Sequence, residues 1–219
     1  MKALIQWLLD LLYPPKCMLC HRLMDTSDAP TCGRCEYDLP EFEQTPAGVP
    51  FCEKVAAPFH YEGLVRGSIL RFKFHGMQSY AKQYAVWMAA KLHGEGMEHY
   101  DVITWVPCSA RRRWTRGFDQ SELLARALAD EMQIPHAAML KKIRHTKKQS
   151  TLRDPARRRA NVLGAYEVMK PECVSGRKIL LVDDVLTTGA TMSECGKMLQ
   201  LAGAEAPDCA VIAAARRKN

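Results

Sequence analysis

The run Ile179-Leu-Leu-Val-Asp183-Asp184-Val185-Leu186-Thr187-Thr188-Gly189-Ala190-Thr191 constrains this chain more than any other. Four apolar residues without polar alternation fit a strand buried on both faces, the environment of a parallel sheet. The strand ends in two carboxylates, and a Thr/Gly turn then leads into a helix expected over 190–202, ending at Gly203. At the C-terminal end of a parallel strand, such a turn aims backbone N–H groups and a helix N-terminus at one point, which suits a phosphate. Gly189 lets the backbone approach closely, and Thr187, Thr188 and Thr191 add hydroxyl donors. Asp183 and Asp184 do not bind phosphate directly. They accept hydrogen bonds from sugar hydroxyls or hold magnesium through water. Phosphate donors beside carboxylates fit a sugar phosphate better than bare phosphate. The P-loop pattern GxxxxGK[ST] is absent, and a phospho-receiver domain, which also pairs acids, has no need of the Thr/Gly turn.

The flanking sequence extends the same architecture. Asp101-Val-Ile-Thr-Trp-Val-Pro107 and Asp208-Cys-Ala-Val-Ile-Ala-Ala214 read as two more buried strands, alongside Lys178–Asp184. Apolar positions at helical spacing predict helices over 64–74 and 79–93. Another is expected over 119–132, capped by Asp119 or Ser121. Strands alternating with helices predict an α/β fold, a parallel sheet with helices on both faces. Residues 36–60, with Pro40, Pro46, Pro50 and Pro58, read as an irregular connector. Residues 141–161 read as a long basic loop, the kind that acts as a lid or binding loop.

Nine cysteines, odd in number, argue for reduced thiols or metal rather than a disulfide framework. Cys17-Met-Leu-Cys20 and Cys32-Gly-Arg-Cys35 form two CxxC pairs eleven residues apart. Two such turns present four thiolates to one zinc ion. A redox dithiol is the rival reading, disfavoured by the tandem pairs and the lack of a thioredoxin-like strand and helix. The zinc is read as structural, because so short a stretch buries little core of its own. His21 is a bystander, and Cys52, Cys108, Cys173, Cys195 and Cys209 are scattered among apolar neighbours. Residues 1–60 are expected to form an N-terminal helix, the zinc module and a connector, and residues 61–219 the α/β domain. The N-terminal apolar stretch is broken by Gln6 and Asp10 and ended by Pro14 and Pro15, too short to span a membrane and without a cleavage site. It reads as a helix packed on the protein rather than a surface anchor, and the expected compartment is the cytoplasm.

Charge is concentrated rather than spread. Residues 110–160 hold fourteen Lys/Arg against five Asp/Glu, a net +9 in a chain of net +7. A cluster of this kind points to phosphate, in a small ligand or a nucleic acid, although a charge run also forms ordinary solvated surfaces. The candidate nucleic-acid-binding residues are Arg112, Arg113, Trp114, Arg116, Lys141, Lys142, Arg144, Lys147 and Lys148. Single-strand binders pair basic grooves with stacking aromatics. Trp105 lies within a strand and is expected in the core. Trp114 and Phe118 either stack on bases or pack beneath the loop.

At Asp183–Thr191 the sequence resembles the type I phosphoribosyltransferases, whose site binds phosphoribosyl pyrophosphate (PRPP). The resemblance implies that Asp183 and Asp184 hold the ribose hydroxyls, and that Val185, Leu186, Thr187, Thr188, Gly189, Ala190 and Thr191 form the 5′-phosphate loop. Base or oxocarbenium-stabilising work would fall to Asp184. A narrower resemblance covers nearly the whole chain. The four N-terminal cysteines, Arg71-Phe-Lys-Phe-His-Gly76, Val106-Pro107 leading to Arg116-Gly-Phe-Asp-Gln120, Gln149 and Asn161-Val-Leu-Gly-Ala-Tyr166 are similar to the ComF family (ComFC- or GntX-like), linked to competence and DNA utilisation.

That family resemblance implies that Cys108, Ser109, Ala110 and Arg111 form the pyrophosphate loop, and residues 144–159 the mobile catalytic loop. Arg111, Arg153 and Arg157 would stabilise departing pyrophosphate. Position 119 is Asp where the family usually has Asn. The expectation is a cytoplasmic DNA-uptake protein that binds PRPP with magnesium and single-stranded DNA, with competence-machinery proteins as further partners. An active phosphoribosyltransferase with an unknown acceptor is the alternative, and an interaction protein with a relic site a third.

Overall fold

The computed structural model describes residues 14–26, 29–39, 41–42, 48–144, 146 and 154–216, Pro155 by its backbone alone. The expected N-terminal helix and the candidates Lys147, Lys148, Gln149 and Arg153 lie outside the described residues.

A parallel sheet organises the chain. Its central strand β6 (Ile179–Leu186) lies between β7 (Asp208–Ala214) and β3 (Val102–Trp105), with Leu181 opposite Cys209 on one side and Thr104 on the other. Two very short strands, β1 (Val55–Ala56) and β2 (Phe59–His60), both pair in parallel with β7 and together make one interrupted edge. The break falls at Ala57-Pro58, where proline has no N–H for the ladder. On the opposite edge Ile103 bridges His136 in parallel. The connector over 36–60 is therefore not irregular throughout; its second half closes an edge of the sheet.

Side chains alternate across β6, and helices cover both faces. Leu180 and Val182 join a core with α2 (Gly63–Phe74), α3 (Tyr80–Gly94) and α5 (Gln120–Met132), through residues such as Ile69, Phe72, Tyr84, Met88, Leu124 and Leu128. Trp105 is buried in the same core, as its place in a strand predicts. Ile179 and Leu181 join a second core with α7 (Ala190–Leu201), through Met192, Cys195 and Leu199. An antiparallel pair, β4 (Leu140–Lys142) with β5 (Tyr166–Val168), extends that second side, with Leu140 opposite Val168. Burial of these aliphatic and aromatic groups on both faces is the main force holding the helices to the sheet.

Two further helices stand where the sequence predicts none, the second inside the segment expected as a basic loop. Helix α4 (Ala110–Arg116) has no buried residue; it is held by its ends. The Ser109 hydroxyl accepts from the Arg112 N–H, and Gly117 takes the left-handed conformation at the C-terminus (φ 80°). Helix α6 (Pro155–Val162) interrupts the basic segment, opened by the Asp154 carboxylate, which accepts from the Ala156 N–H at 2.8 Å. Proline at its first turn suits the helix start.

The cysteine module is fixed to the α2 side. Cys17, Met18, Leu19 and Cys35 belong to the same core as Phe72. Arg71 on α2 donates through Nη2 to the carbonyls of Met18 and Leu19, at 2.9 and 2.5 Å. A short helix α1 (Gly33–Tyr37) carries the second CxxC pair. On the other face α7 is pressed against residues 49–52. A Cβ added at Gly196 would meet the Phe51 carbonyl oxygen at 2.5 Å. Gly196→Ala is expected to lower stability by about 1–3 kcal/mol through this overpacking, read as a lower urea midpoint. An unchanged midpoint would mean that residues 49–52 yield at no cost.

Candidate PRPP and metal sites

The C-terminal end of β6 delivers two carboxylates in different settings. Asp183 Oδ1 accepts from the Ser121 hydroxyl at 2.7 Å and from the Asp184 N–H at 2.8 Å. Asp184 Oδ1 lies 2.8 Å from Lys73 Nζ, with both side chains largely buried. Burial first, and the neighbouring Asp184 charge second, push the Asp183 carboxyl up to about 7; Ser121, the Asp184 N–H and Lys73 partly oppose this. Gly189 follows in the left-handed conformation (φ 73°) and caps α7, with Val49 so near that a Cβ would meet its Cγ2 at 3.0 Å. Only glycine suits that backbone at so close an approach.

These groups open into a cavity of about 430 Å³. Asp183, Asp184 and the whole turn Val185, Leu186, Thr187, Thr188, Gly189, Ala190 and Thr191 line it. So does Cys108, whose N–H donates to Asp119 Oδ2 at 2.8 Å and whose thiol is pushed up to about 12, mainly by burial and then by Asp119. The other oxygen of Asp119, Oδ1, accepts from the N–H groups of Ser121 and Glu122, at 3.1 and 3.4 Å. Asp119 is therefore the cap of α5, and the Ser121 hydroxyl is released to orient Asp183. Ser109 and Ala110 form the start of α4 beside this wall.

The cationic candidates divide by helix phase. Arg112 and Arg116 line the cavity, whereas Arg111 is exposed outside it. Arg158 lines it, whereas Arg157 is exposed and lies 3.9 Å from Asp154. Lys142 also faces the cavity, where its ammonium donates to the Tyr166 hydroxyl at 3.0 Å. Burial, then Arg112, lowers Lys142 to about 8. Arg116 sits over the Phe74 ring at 4.6 Å and donates to Gln120 Oε1 at 2.5 Å.

The remaining basic candidates face elsewhere. Arg113 pairs with Glu122 at 3.3 Å and Lys141 with Glu167 at 3.4 Å, while Arg144 donates to the carbonyls of Leu163 and Asn161. Trp114 is 88% exposed, and Phe118 packs toward Phe72 at 6.1 Å, so the two aromatics take opposite fates. Sequence reasoning misses Lys73, Ser121, Arg158 and Tyr166 as lining residues. Lys73 and Tyr166 stand in runs that carry the family resemblance, yet nothing local marks either as facing the acids.

The second candidate site is metallic. The Sγ atoms of Cys17, Cys20, Cys32 and Cys35 all lie within 4.8 Å of one another, with Cys20 and Cys32 at 3.8 Å. A zinc–sulfur bond of about 2.3 Å implies tetrahedral sulfur edges of about 3.8 Å, so the four thiols fit a zinc ion. Burial raises the Cys17 thiol, but N–H groups of Cys20, Cys32 and Leu19 outweigh it and bring Cys17 down to about 6. His21 is not part of the group. Among the other cysteines, Cys195 and Cys209 are buried in the core, Cys52 is half-buried and Cys173 is exposed.

Comparison with known proteins agrees with this geometry. Residues 8–69 match the double zinc ribbon domain family and residues 119–219 the phosphoribosyl transferase domain family. Competence protein F of Haemophilus influenzae is 30% identical over 187 residues, covering 80% of this chain and 81% of that protein. The chain belongs to the ComF family. Other ComF relatives include the DNA utilization protein YhgH of Escherichia coli, 37% identical over 112 residues, 51% of this chain and 48% of that one. The match thus spans about half the length of the E. coli relative. Competence protein ComFC of Streptococcus pneumoniae is 30% identical over 149 residues, 68% of this chain and 63% of that protein. Glutamine phosphoribosylpyrophosphate amidotransferase from B. subtilis gives a looser structural likeness, with a TM-score of 0.45 and 22% identity over 65% of this chain and 30% of that one. The ComF chain is a parallel α/β phosphoribosyltransferase-type domain with a four-cysteine zinc-ribbon cluster. No helix among its described residues is long and apolar enough to cross a membrane.

Proposed function

We propose that this ComF-family protein binds PRPP in the cavity at the end of β6 and single-stranded DNA on the outer face of α4. The observation that carries the first half is the convergence on one cavity of the acid pair, the Thr187–Thr191 turn and the cations Arg112, Arg116, Lys142 and Arg158. The turn supplies N–H and hydroxyl donors to the 5′-phosphate, the carboxylates accept from the ribose hydroxyls, and the cations face the pyrophosphate. Magnesium arriving with the ligand would add charge neutralisation at the pyrophosphate, with only the carboxylate oxygens that Ser121 and Lys73 leave open on Asp183 and Asp184 as acceptors toward its water shell. The four cysteines hold a structural zinc. Calorimetric titration of zinc-loaded protein with PRPP and magnesium tests the reading. Micromolar-range binding supports it, and an absence of heat would make the fold a reused scaffold.

Support for the DNA half comes from Trp114, exposed on α4 beside the exposed Arg111 and Arg113. An aromatic face among arginines suits base stacking over a phosphate track. Trp114→Ala is expected to weaken binding of a single-stranded oligonucleotide by about 1–3 kcal/mol without altering the salt slope. Arg111→Ala is expected to reduce that slope by about 0.7. Fluorescence anisotropy over a salt series reads both, and two unaltered variants would move the DNA surface elsewhere. In this reading the protein works in the cytoplasm, with competence-machinery proteins as further partners.

A second reading, transfer of ribose 5-phosphate to an acceptor, is favoured by the apolar and aromatic side chains of Tyr61, Leu70 and Phe74, which line the same cavity as the acid pair. There an acceptor would displace pyrophosphate at the anomeric carbon. Release of pyrophosphate only when an acceptor is added would establish it.

A further inference from the structure

We propose that Lys73 is the resident counter-cation of the acid pair, an ammonium that takes the place of a divalent ion on Asp184 and makes ligand binding in this cavity largely independent of magnesium. The inference rests on the reading that the cavity takes PRPP.

Lys73 Nζ is 2.8 Å from Asp184 Oδ1, and the two side chains are only 16% and 14% exposed. This is not one of the loose surface pairs that contribute little. Withdrawn from water, the two charges compensate one another, and removing one leaves the other buried and unpaired. Lys73 also lines the cavity, so its charge is presented to a ligand as well as to the carboxylate.

The ammonium is placed there from behind. On α2, residues two apart project about 200° from one another. Arg71 accordingly reaches the carbonyls of Met18 and Leu19, Phe72 fills the core with no exposed surface, and Lys73 emerges on the cavity side. Both neighbours are tied down, which holds the helix phase and with it the lysine.

Asp183 is pre-set in a similar way, its Oδ1 taken by the Ser121 hydroxyl and the Asp184 N–H. Magnesium is held by one or two carboxylates together with substrate phosphates and water, and here Oδ1 of both carboxylates is already engaged by the protein. Arg112, Arg116, Lys142 and Arg158 line the remaining walls. Among the described residues, Lys73, Arg112, Arg116 and Lys142 already outnumber the two carboxylates of the lining, an excess that suits a polyanionic ligand whether or not a metal accompanies it.

The test is calorimetric titration of the zinc-loaded full chain with PRPP, for wild type, Lys73→Met and Lys73→Arg. Each is run with magnesium and in magnesium-free buffer prepared over a chelating resin, since a soluble chelator would strip the zinc. Wild type is expected to lose no more than about threefold in affinity when magnesium is omitted. Lys73→Met is expected to lose about 30-fold without magnesium and to regain most of it when magnesium returns. Lys73→Arg, which keeps the charge, is expected to follow wild type. Because each protein is compared with itself in two buffers, a merely structural defect would not produce this pattern. Equal magnesium dependence in wild type and Lys73→Met overturns the proposal, as does wild-type binding that occurs only with magnesium. No wild-type binding in either buffer removes the PRPP reading itself, and this proposal with it.

Discussion

Asp183→Asn is expected to reduce PRPP affinity by about 10- to 150-fold, measured by calorimetry at pH 8 with magnesium present. A charged acceptor to a sugar hydroxyl contributes roughly 1.5–3 kcal/mol, and each 1.4 kcal/mol is a factor of ten. The substitution keeps the shape of the side chain, and the Ser121 hydroxyl still finds an oxygen to donate to. What is lost is the charge, and an NH2 group now competes for the place of an acceptor. Unchanged affinity would end the assignment of Asp183 to the ribose.

The same variant should flatten two pH profiles. Burial and Asp184 hold the Asp183 carboxyl at about 7, well above its ordinary 3.8. Between these values the folded chain keeps a proton that the unfolded chain releases, so stability falls as pH rises from about 4 to 7 and then levels. PRPP binding moves the opposite way, strengthening as Asp183 ionises through about 7. Lys73, Asp184 and Lys142 stand around the same carboxyl, so the informative quantity is the difference between wild type and variant. A wild-type profile reproduced by Asp183→Asn would assign the dependence to the ligand.

Loss of zinc is expected to have the largest effect on stability. Structural zinc sites contribute about 10–16 kcal/mol in small peptides, against about 5–15 kcal/mol for the net stability of a whole domain. The effect should spread beyond the cysteines. Met18 and Leu19 lie between two of the thiols, and their carbonyls are the acceptors for Arg71 of α2. Once the knuckle opens, Arg71 loses both partners and α2 loses its anchor. Chelation, or Cys17→Ser, is therefore expected to expose α2 to trypsin at Arg71 and Lys73 and to weaken PRPP binding as well. Unaltered protease resistance after verified metal loss would show that the module holds without zinc.

The elements legible in the sequence are those whose information is contiguous. An apolar strand, two acids, a Thr/Gly turn and a helix follow one another in covalent order, so β6, the turn and α7 can be read together. The four cysteines are legible for the same reason: two short turns already hold each pair close. Strands β3 and β7 and helices α2, α3, α5 and α7 lie near their expected bounds, because apolar runs and periodicity reflect burial directly.

Elements with no local signal stay hidden. Strands β1 and β2 have two residues each, too few for any period, and exist because β7 offers an edge more than 140 residues downstream. Helix α4 buries none of its residues, so no apolar stripe announces it, and capping by Ser109 and Gly117 defines it instead. Which arginine of a run enters the cavity is equally hidden. Arg111 and Arg112 are alike as chemistry, but successive helical residues point about 100° apart. The docked phase of α4 turns Arg112 inward, and that of α6 turns in Arg158.

By itself, then, the sequence determined the chemical groups of the two sites and the type of domain that carries them, since both are written in adjacent residues. Tertiary structure alone decided their partners: Lys73 on Asp184, Ser121 on Asp183, Arg71 on the cysteine knuckle. Each of these joins residues dozens of positions apart, and whether they meet depends on helix phase and packing that no local stretch of sequence encodes.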